Sequence, residues 1–172
     1  AGHSAATQNG LLNQIYVWHA DGSELDLFDP TETGLTAALA AAVSGDTVWL
    51  PSIPIALTAA LTISPGAALV GLSKNSVLNV SGFSGAAITL GAGSIVMDFS
   101  LNFDGTGYAT AVGVLAEEDD SIVDDLDIYV HAATAENICI GAGGSPRAKE
   151  LWSAILSDGN QNNIVWSSPD FE

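Results

Sequence analysis

Seven of the twenty carboxylates fall within eleven residues: Glu117, Glu118, Asp119, Asp120, Asp124, Asp125 and Asp127. Calcium takes several carboxylate or carbonyl oxygens at once, so Asp120, Asp124, Asp125 and Asp127 are the candidate ligands. If Leu126, Ile128 and Val130 point inward on a strand, Asp125 and Asp127 point outward on one face. No EF-hand spacing is present, and a solvated acidic corner is the competing reading. His3, His19 and His131 lie far apart, with no Cys or Glu at ligand spacing, and read as packed or exposed side chains. The single cysteine, Cys139, sits between Ile138 and Ile140 and reads as a small core or wall residue rather than a nucleophile. Gly141-Ala142-Gly143-Gly144 has no lysine among its glycines and reads as a hinge, not a phosphate loop. Asn79-Val80-Ser81 is a glycosylation sequon by pattern but falls in a strand-like run. Trp18, Trp49, Trp152 and Trp166 stand near the two ends, as packing anchors or as platforms for sugars.

The balance of charge removes whole classes of partner. Twenty acidic residues face three basic ones, Lys74, Arg147 and Lys149, for a net charge of −17. A nucleic-acid groove and a polybasic membrane anchor both need clustered cations, so neither is expected. No apolar run reaches the roughly 18 residues of a membrane helix, so no membrane insertion is expected. A chain of 172 residues, 48% apolar, suits one domain that buries its own core. If the protein is exported, its signal has been removed before Ala1.

Four segments organise the chain. Residues 1–28 read as a polar arm and a β-hairpin, Ile15-Tyr16-Val17-Trp18 and Leu25-Asp26-Leu27-Phe28 flanking an Asp21-Gly22 turn. Residues 29–45 read as a helix. Asp29 is the expected N-cap, with Pro30 first and Glu32 completing a capping box; Thr33 is a second possible start. Leu35, Ala38, Leu39, Ala42 and Val43 form its apolar face and Gly45 its C-cap. Residues 46–144 change grammar: short β-rich runs alternate with corners of small residues. Equivalent runs are expected at Val48, Leu69, Ile88, Val112 and Ile138, at intervals of 21, 19, 24 and 26 residues. A loose period in the low twenties points to a stacked solenoid, in preference to an antiparallel sandwich or barrel, because reversal signals are nearly missing. Residues 145–172 read as a helix capped by Ser145, with Leu151, Trp152, Ile155 and Leu156 on its apolar face, then a strand Ile164-Val165-Trp166.

The helix over residues 35–43, the turn Ser44-Gly45-Asp46, the run Thr47-Val48-Trp49-Leu50-Pro51, and then Leu61-Thr62-Ile63 and Ala68-Leu69-Val70-Gly71 together resemble the N-terminal part of pectin-lyase-like right-handed parallel β-helices. The resemblance implies an all-β, short right-handed parallel β-helix of about four to five coils behind an N-terminal cap helix. At ~4.8 Å per strand that is about 20–25 Å of height. It implies no activity by itself. Lyases of the family use a cationic base and calcium-binding Asp residues; residues 47–140 hold one basic residue, Lys74, and no arginine. Hydrolases of the family use clustered carboxylates with a Gly-His-Gly; Asp124-Asp125 is a pair, but no such motif follows and His131 stands alone.

Two functions fit. The first is a non-catalytic structural subunit, without cofactor, that assembles head-to-tail with copies of itself into an extracellular, cell-surface or virion fibre. Its terminal appendages would make the contacts, through Tyr16, Trp18, Trp152, Ile164, Val165 and Trp166. The second is the N-terminal part of a carbohydrate-binding or polysaccharide-degrading β-helix, tailspike-like or lyase-like, with a surface glycan as partner. An adhesin module is a weaker third.

Overall fold

From residue 47 onward, aliphatic and β-branched side chains alternate sides, and a corner of small or polar residues follows each short run. The computed structural model, which describes residues 13–116, 118, 120–142, 155–157 and 164–166, shows these runs as stacked parallel strands. The chain is all-β, with one short helix among the described residues. No helix among them is long and apolar enough to cross a membrane.

The expected hairpin forms: β1 (Ile15–Trp18) pairs antiparallel with β2 (Asp26–Phe28), Tyr16 opposite Leu27. The helix α1 (Glu32–Ala41) follows, and its start differs from the expected one. Its N-cap is Thr31, whose Oγ1 accepts from the Gly34 N–H at 3.2 Å. Gly34 therefore lies inside the first turn, where a Cβ would stand 2.0 Å from the Asp29 carbonyl oxygen. Glu32 does not close a capping box. Its carboxylate accepts from the Thr58 N–H at 2.8 Å and the Thr58 hydroxyl at 2.9 Å, joining the helix to a distant corner. Leu35, Ala38, Leu39 and Ala42 are buried as expected, but the chain turns extended at Ala42, which leaves Val43 63% exposed. Gly45 is not the C-cap; its N–H bonds to the Gly66 carbonyl at 2.9 Å.

The first rung of the solenoid is β3 (Thr47–Leu50), β4 (Pro54–Leu57) and β5 (Leu61–Ile63). The second is β6 (Ala68–Gly71), β7 (Val77–Ser81) and β8 (Gly85–Leu90). The third is β9 (Ile95–Met97), β10 (Ser100–Asp104) and β11 (Thr110–Ala116). The fourth is β12 (Ile122–Asp124), β13 (Asp127–His131) and β14 (Glu136–Ala142). Like strands stack in parallel into three sheets, A (with β3, β6, β9 and β12), B (with β4, β7, β10 and β13) and C (with β5, β8, β11 and β14), making a β-solenoid in which about three turns separate the first rung from the fourth. In sheet A, Val48, Leu69, Val96 and Val123 stand in register and point inward. Ile55, Leu78, Leu101 and Ile128 do so in sheet B, and Leu61, Ile88, Val114 and Ile140 in sheet C. All twelve are buried, with Phe99 and Phe103 filling the space between them.

The expected equivalences mixed two faces. Val48 and Leu69 belong to sheet A, whereas Ile88, Val112 and Ile138 belong to sheet C. Each rung carries three short strands of similar composition, so a period read along the sequence can slip from one face to the next.

The hairpin is not a free appendage. β1 pairs antiparallel with β3, Tyr16 opposite Trp49, so sheet A continues past the first rung. The helix packs against β1, β2, β4 and β5. At the other end the expected C-terminal helix is contradicted where the structure describes it. Ile155–Ser157 is a strand, β15, parallel to β13. The open edge of β13 offers a row of unpaired backbone groups, and pairing there overrides a local helical pattern. β16 (Ile164–Trp166) lies parallel to β14, so both described C-terminal strands pair within the chain.

Candidate functional site

The acidic residues singled out as calcium ligands do not converge. Asp120 is exposed in the turn before β12, Asp124 ends that strand, and Asp127 opens β13. Leu126, Ile128 and Val130 do point inward, but Asp125 is a corner residue at φ 41° rather than a strand neighbour of Asp127. Among the described residues no three His, Cys, Asp or Glu side chains group as metal ligands.

Asp125 belongs to a different arrangement. Its carboxylate meets Lys74 Nζ at 2.9 Å, and the same ammonium donates to the Asp125 carbonyl. One rung below, Asp98 takes the same left-handed corner conformation, φ 62°, and its N–H donates to the Asp125 carbonyl at 3.1 Å. Aspartate tolerates this conformation better than most residues. Burial, and then the hydrogen bond to Asp125, push the Asp98 carboxyl up; Lys74 first, then Asp98, hold the Asp125 carboxyl down. The Asp98 N–H and the Lys74 ammonium thus converge on the Asp125 corner. This column is a brace between stacked corners.

A second cluster joins the hairpin to the solenoid. Asp46 is 3% exposed. It accepts from the Ala20 N–H at 3.0 Å, the Val43 N–H at 3.1 Å and His19 Nδ1 at 2.8 Å. His19 Nε2 lies 3.2 Å from Asp26. The hydrogen bond to Asp46, helped by Asp26, holds the imidazole above its ordinary range. Burial works to raise Asp46, but the three donors together outweigh it and keep the carboxylate below its usual range. Among the described residues His19 bonds the carboxylates of Asp46 and Asp26, and the cluster works as a latch. Sequence spacing hid it, since 27 residues separate His19 from Asp46.

Cys139 is buried as expected. Its thiol donates to the Ile128 carbonyl at 3.7 Å, and burial pushes its pKa up to about 11. His131 packs against Tyr129 with ring centroids 4.7 Å apart and planes tilted by 31°. Asn79 stands on β7 and accepts from Asn102 at 3.4 Å. Gly141 and Ala142 belong to β14, so the expected hinge does not begin there. His3 and Trp152 lie outside the described residues. Ile164, Val165 and Trp166 sit opposite Ile140, Gly141 and Ala142.

Tyr16 and Trp18 come together with residues the sequence did not group. Since Val17, Val48, Leu69, Val96 and Val123 point inward, their neighbours point out. One outer column of sheet A runs Leu27, Tyr16, Trp49, Val70, Met97 and Asp124, with Val70 itself buried. The next runs Trp18, Thr47, Ala68, Ile95 and Ile122. Of these eleven positions only Asp124 is charged. Trp18 is 51% exposed, Leu27 50%, and Leu25, just before β2, 38%. Tyr16 and Trp49 stack with centroids 6.0 Å apart and planes within 15°. The signal in the sequence was the outward half of each alternating run, apolar where a solvated sheet is polar. Comparison with protein-family models, curated proteins and solved structures finds no match for the chain.

Proposed function

We propose that the protein is a non-catalytic structural subunit that joins head-to-tail with copies of itself into an extracellular, cell-surface or virion fibre. In this reading the solenoid is a right-handed, pectin-lyase-like β-helix of four to five coils, with α1 as its cap. One observation carries the reading: sheet A is lengthened beyond the first rung by an added antiparallel hairpin, and its last strand, β2, has no second partner strand among the described residues. An unpaired strand edge is a template for another chain. A contact between unlike ends repeats without closing, and so builds a filament. The expected role of the terminal strands narrows accordingly: β1 is paired on both sides in cis, while β2 at one end and β15 and β16 at the other are each paired on one side among the described residues, which leaves unlike edges for a neighbour. Electron microscopy and light scattering over a wide concentration range test this. Filaments are expected; single particles of one-chain mass at every concentration refute it.

The near-parallel, stacked rings of Tyr16 and Trp49, with the exposed Trp18 on the same sheet face, favour a second reading, a carbohydrate-binding part of a tailspike-like or lyase-like protein. A glycan screen that finds a specific sugar, quenched in parallel with tryptophan fluorescence, would replace the first reading with this one.

A further inference from the structure

His19 faces a carboxylate with each of its two ring nitrogens. Nδ1 lies 2.8 Å from Asp46, just before β3, and Nε2 lies 3.2 Å from Asp26, the first residue of β2. An ionised carboxylate only accepts, so both nitrogens must donate, and a ring that donates from both is the imidazolium cation. One proton on His19 therefore ties the start of β2 to the first rung.

The neutral ring carries one N–H and can keep one of the two bonds. Burial decides which. Asp46 is nearly inaccessible and also accepts from the Ala20 and Val43 N–H groups, whereas the Asp26 side chain is 56% exposed. The shorter bond to Asp46 stays, and the bare Nε2 is left facing the Asp26 carboxylate. The surroundings add to that repulsion. Asp21 and Glu24 stand in the turn between the two strands, and Asp21 acts on both His19 and Asp46. On β1 the titratable neighbour is Tyr16, which burial keeps neutral. Glu32 of α1 is turned away to Thr58, β3 brings no ionisable side chain, and Lys74 is engaged at the Asp125 corner.

Little else holds that end of β2. The strand has three residues, Asp26 and Leu27 are exposed, and among the described residues it pairs with β1 alone. Phe28, at the other end, packs against the core, and Ile15 and Val17 anchor β1 with fully buried side chains. Loss of the proton thus loosens residues 24–27 and leaves β1, Phe28 and the rungs in place. We propose that His19 is a proton-operated clasp on β2: closed, it holds the outermost strand of sheet A in line for pairing, and opened by rising pH, it lets that strand fray and removes the edge. The proposal rests on the head-to-tail reading only in taking the β2 edge as a contact between copies. Its sign follows from the ring. The bond to Asp46, with Asp26 behind it, holds the imidazole above its ordinary range, so the clasp is complete below about pH 6.5 and opens as pH rises through the folded value.

Backbone amide exchange of the full chain, expressed as protection factors at about pH 6 and about pH 9, tests the clasp in the wild type, His19→Gln and Asp26→Asn. In the wild type, protection across residues 24–28 is expected to fall at least about tenfold between the two, while β3 and β6 stay protected. His19→Gln has no proton to lose, so its β2 should show no such change with pH. Asp26→Asn can accept from Nε2–H or donate to the bare nitrogen, so its β2 should stay protected at the higher pH. Wild-type β2 protection that does not change, that falls equally in His19→Gln, or that falls together with β3 and β6, overturns the proposal. Sedimentation at both pH values separates the clasp from the assembly. Wild-type filaments lost at the higher pH but kept in Asp26→Asn support the gate, and filaments equally abundant at both overturn it. A fall in β2 protection with no filaments at either pH keeps the clasp and refutes head-to-tail growth.

Discussion

Replacing Asp46 by alanine tests whether the hairpin is held by its latch or by strand pairing alone. Asp46 is nearly inaccessible and receives three donors, from Ala20, Val43 and His19. Its loss orphans two backbone N–H groups, at about 1–3 kcal/mol each when they stay buried. Ala20 and Val43 are exposed residues, so water recovers part of this, and the expected cost is about 3 kcal/mol. For a chain of this size each kcal/mol lowers the Tm by about 2–4 °C, so the melt should fall by about 6–12 °C. Asp46→Asn keeps one acceptor and should lose about half as much. The pH dependence has a definite sign. His19 is held above its ordinary pKa, so its contribution is complete below about pH 6.5 and fades as pH rises through the folded value. Asp46 is held below its ordinary pKa, so its contribution is complete above about pH 4 and fades as pH falls. The gap between wild type and His19→Ala should therefore be widest between about pH 4 and 6.5 and narrow toward pH 9. Calorimetric melts across that range are the assay. An Asp46→Ala melt within about 2 °C of wild type, or a His19→Ala gap that is flat with pH, would refute the latch.

Other outcomes follow from the core and corners. Phe103→Ala empties a fully buried site between the rungs and should cost about 3–5 kcal/mol in denaturant unfolding. Gly71→Ala sets a Cβ 2.2 Å from the Asp98 carbonyl oxygen and 2.8 Å from Phe99 Cβ. Neither neighbour can retreat without moving a stacked corner, so the cost should be about 1–3 kcal/mol or more, read as a fall in the denaturation midpoint. Cys139, buried and with its thiol pushed up to about 11, should react with a thiol reagent at pH 8 only when the chain unfolds; fast labelling of the native protein would contradict its placement.

Much of the architecture was legible because it rests on local alternation. Runs such as Thr47-Val48-Trp49-Leu50 can bury one side only as strands, and corners without reversal signals leave stacking in parallel as the way to do it. Asp21-Gly22 marked the hairpin, and the aliphatic neighbours of Cys139 marked it as core. Those inferences need only the nearest few residues. Which strands lie above one another needs more, since loop lengths between equivalent strands vary and all three faces look alike. Val48 over Leu69, yet Ile88 over Leu61, is therefore a result of the folded coil. The same holds at Ile155–Ser157, where a free edge captured a run with helical spacing. The candidate site lay furthest from the sequence. Tyr16 and Trp18 drew notice as aromatics, but Trp49, Met97 and Leu27 joined them only because β1 adds to β3 in one register. The His19–Asp46 latch and the Lys74–Asp125 brace likewise pair residues 27 and 51 positions apart. Composition determined that the surface would be acidic and poor in cations; the winding of the chain decided that the carboxylates would gather away from one apolar sheet face, because a period-two strand hands alternate residues to opposite sides and only stacking brings the outward ones together.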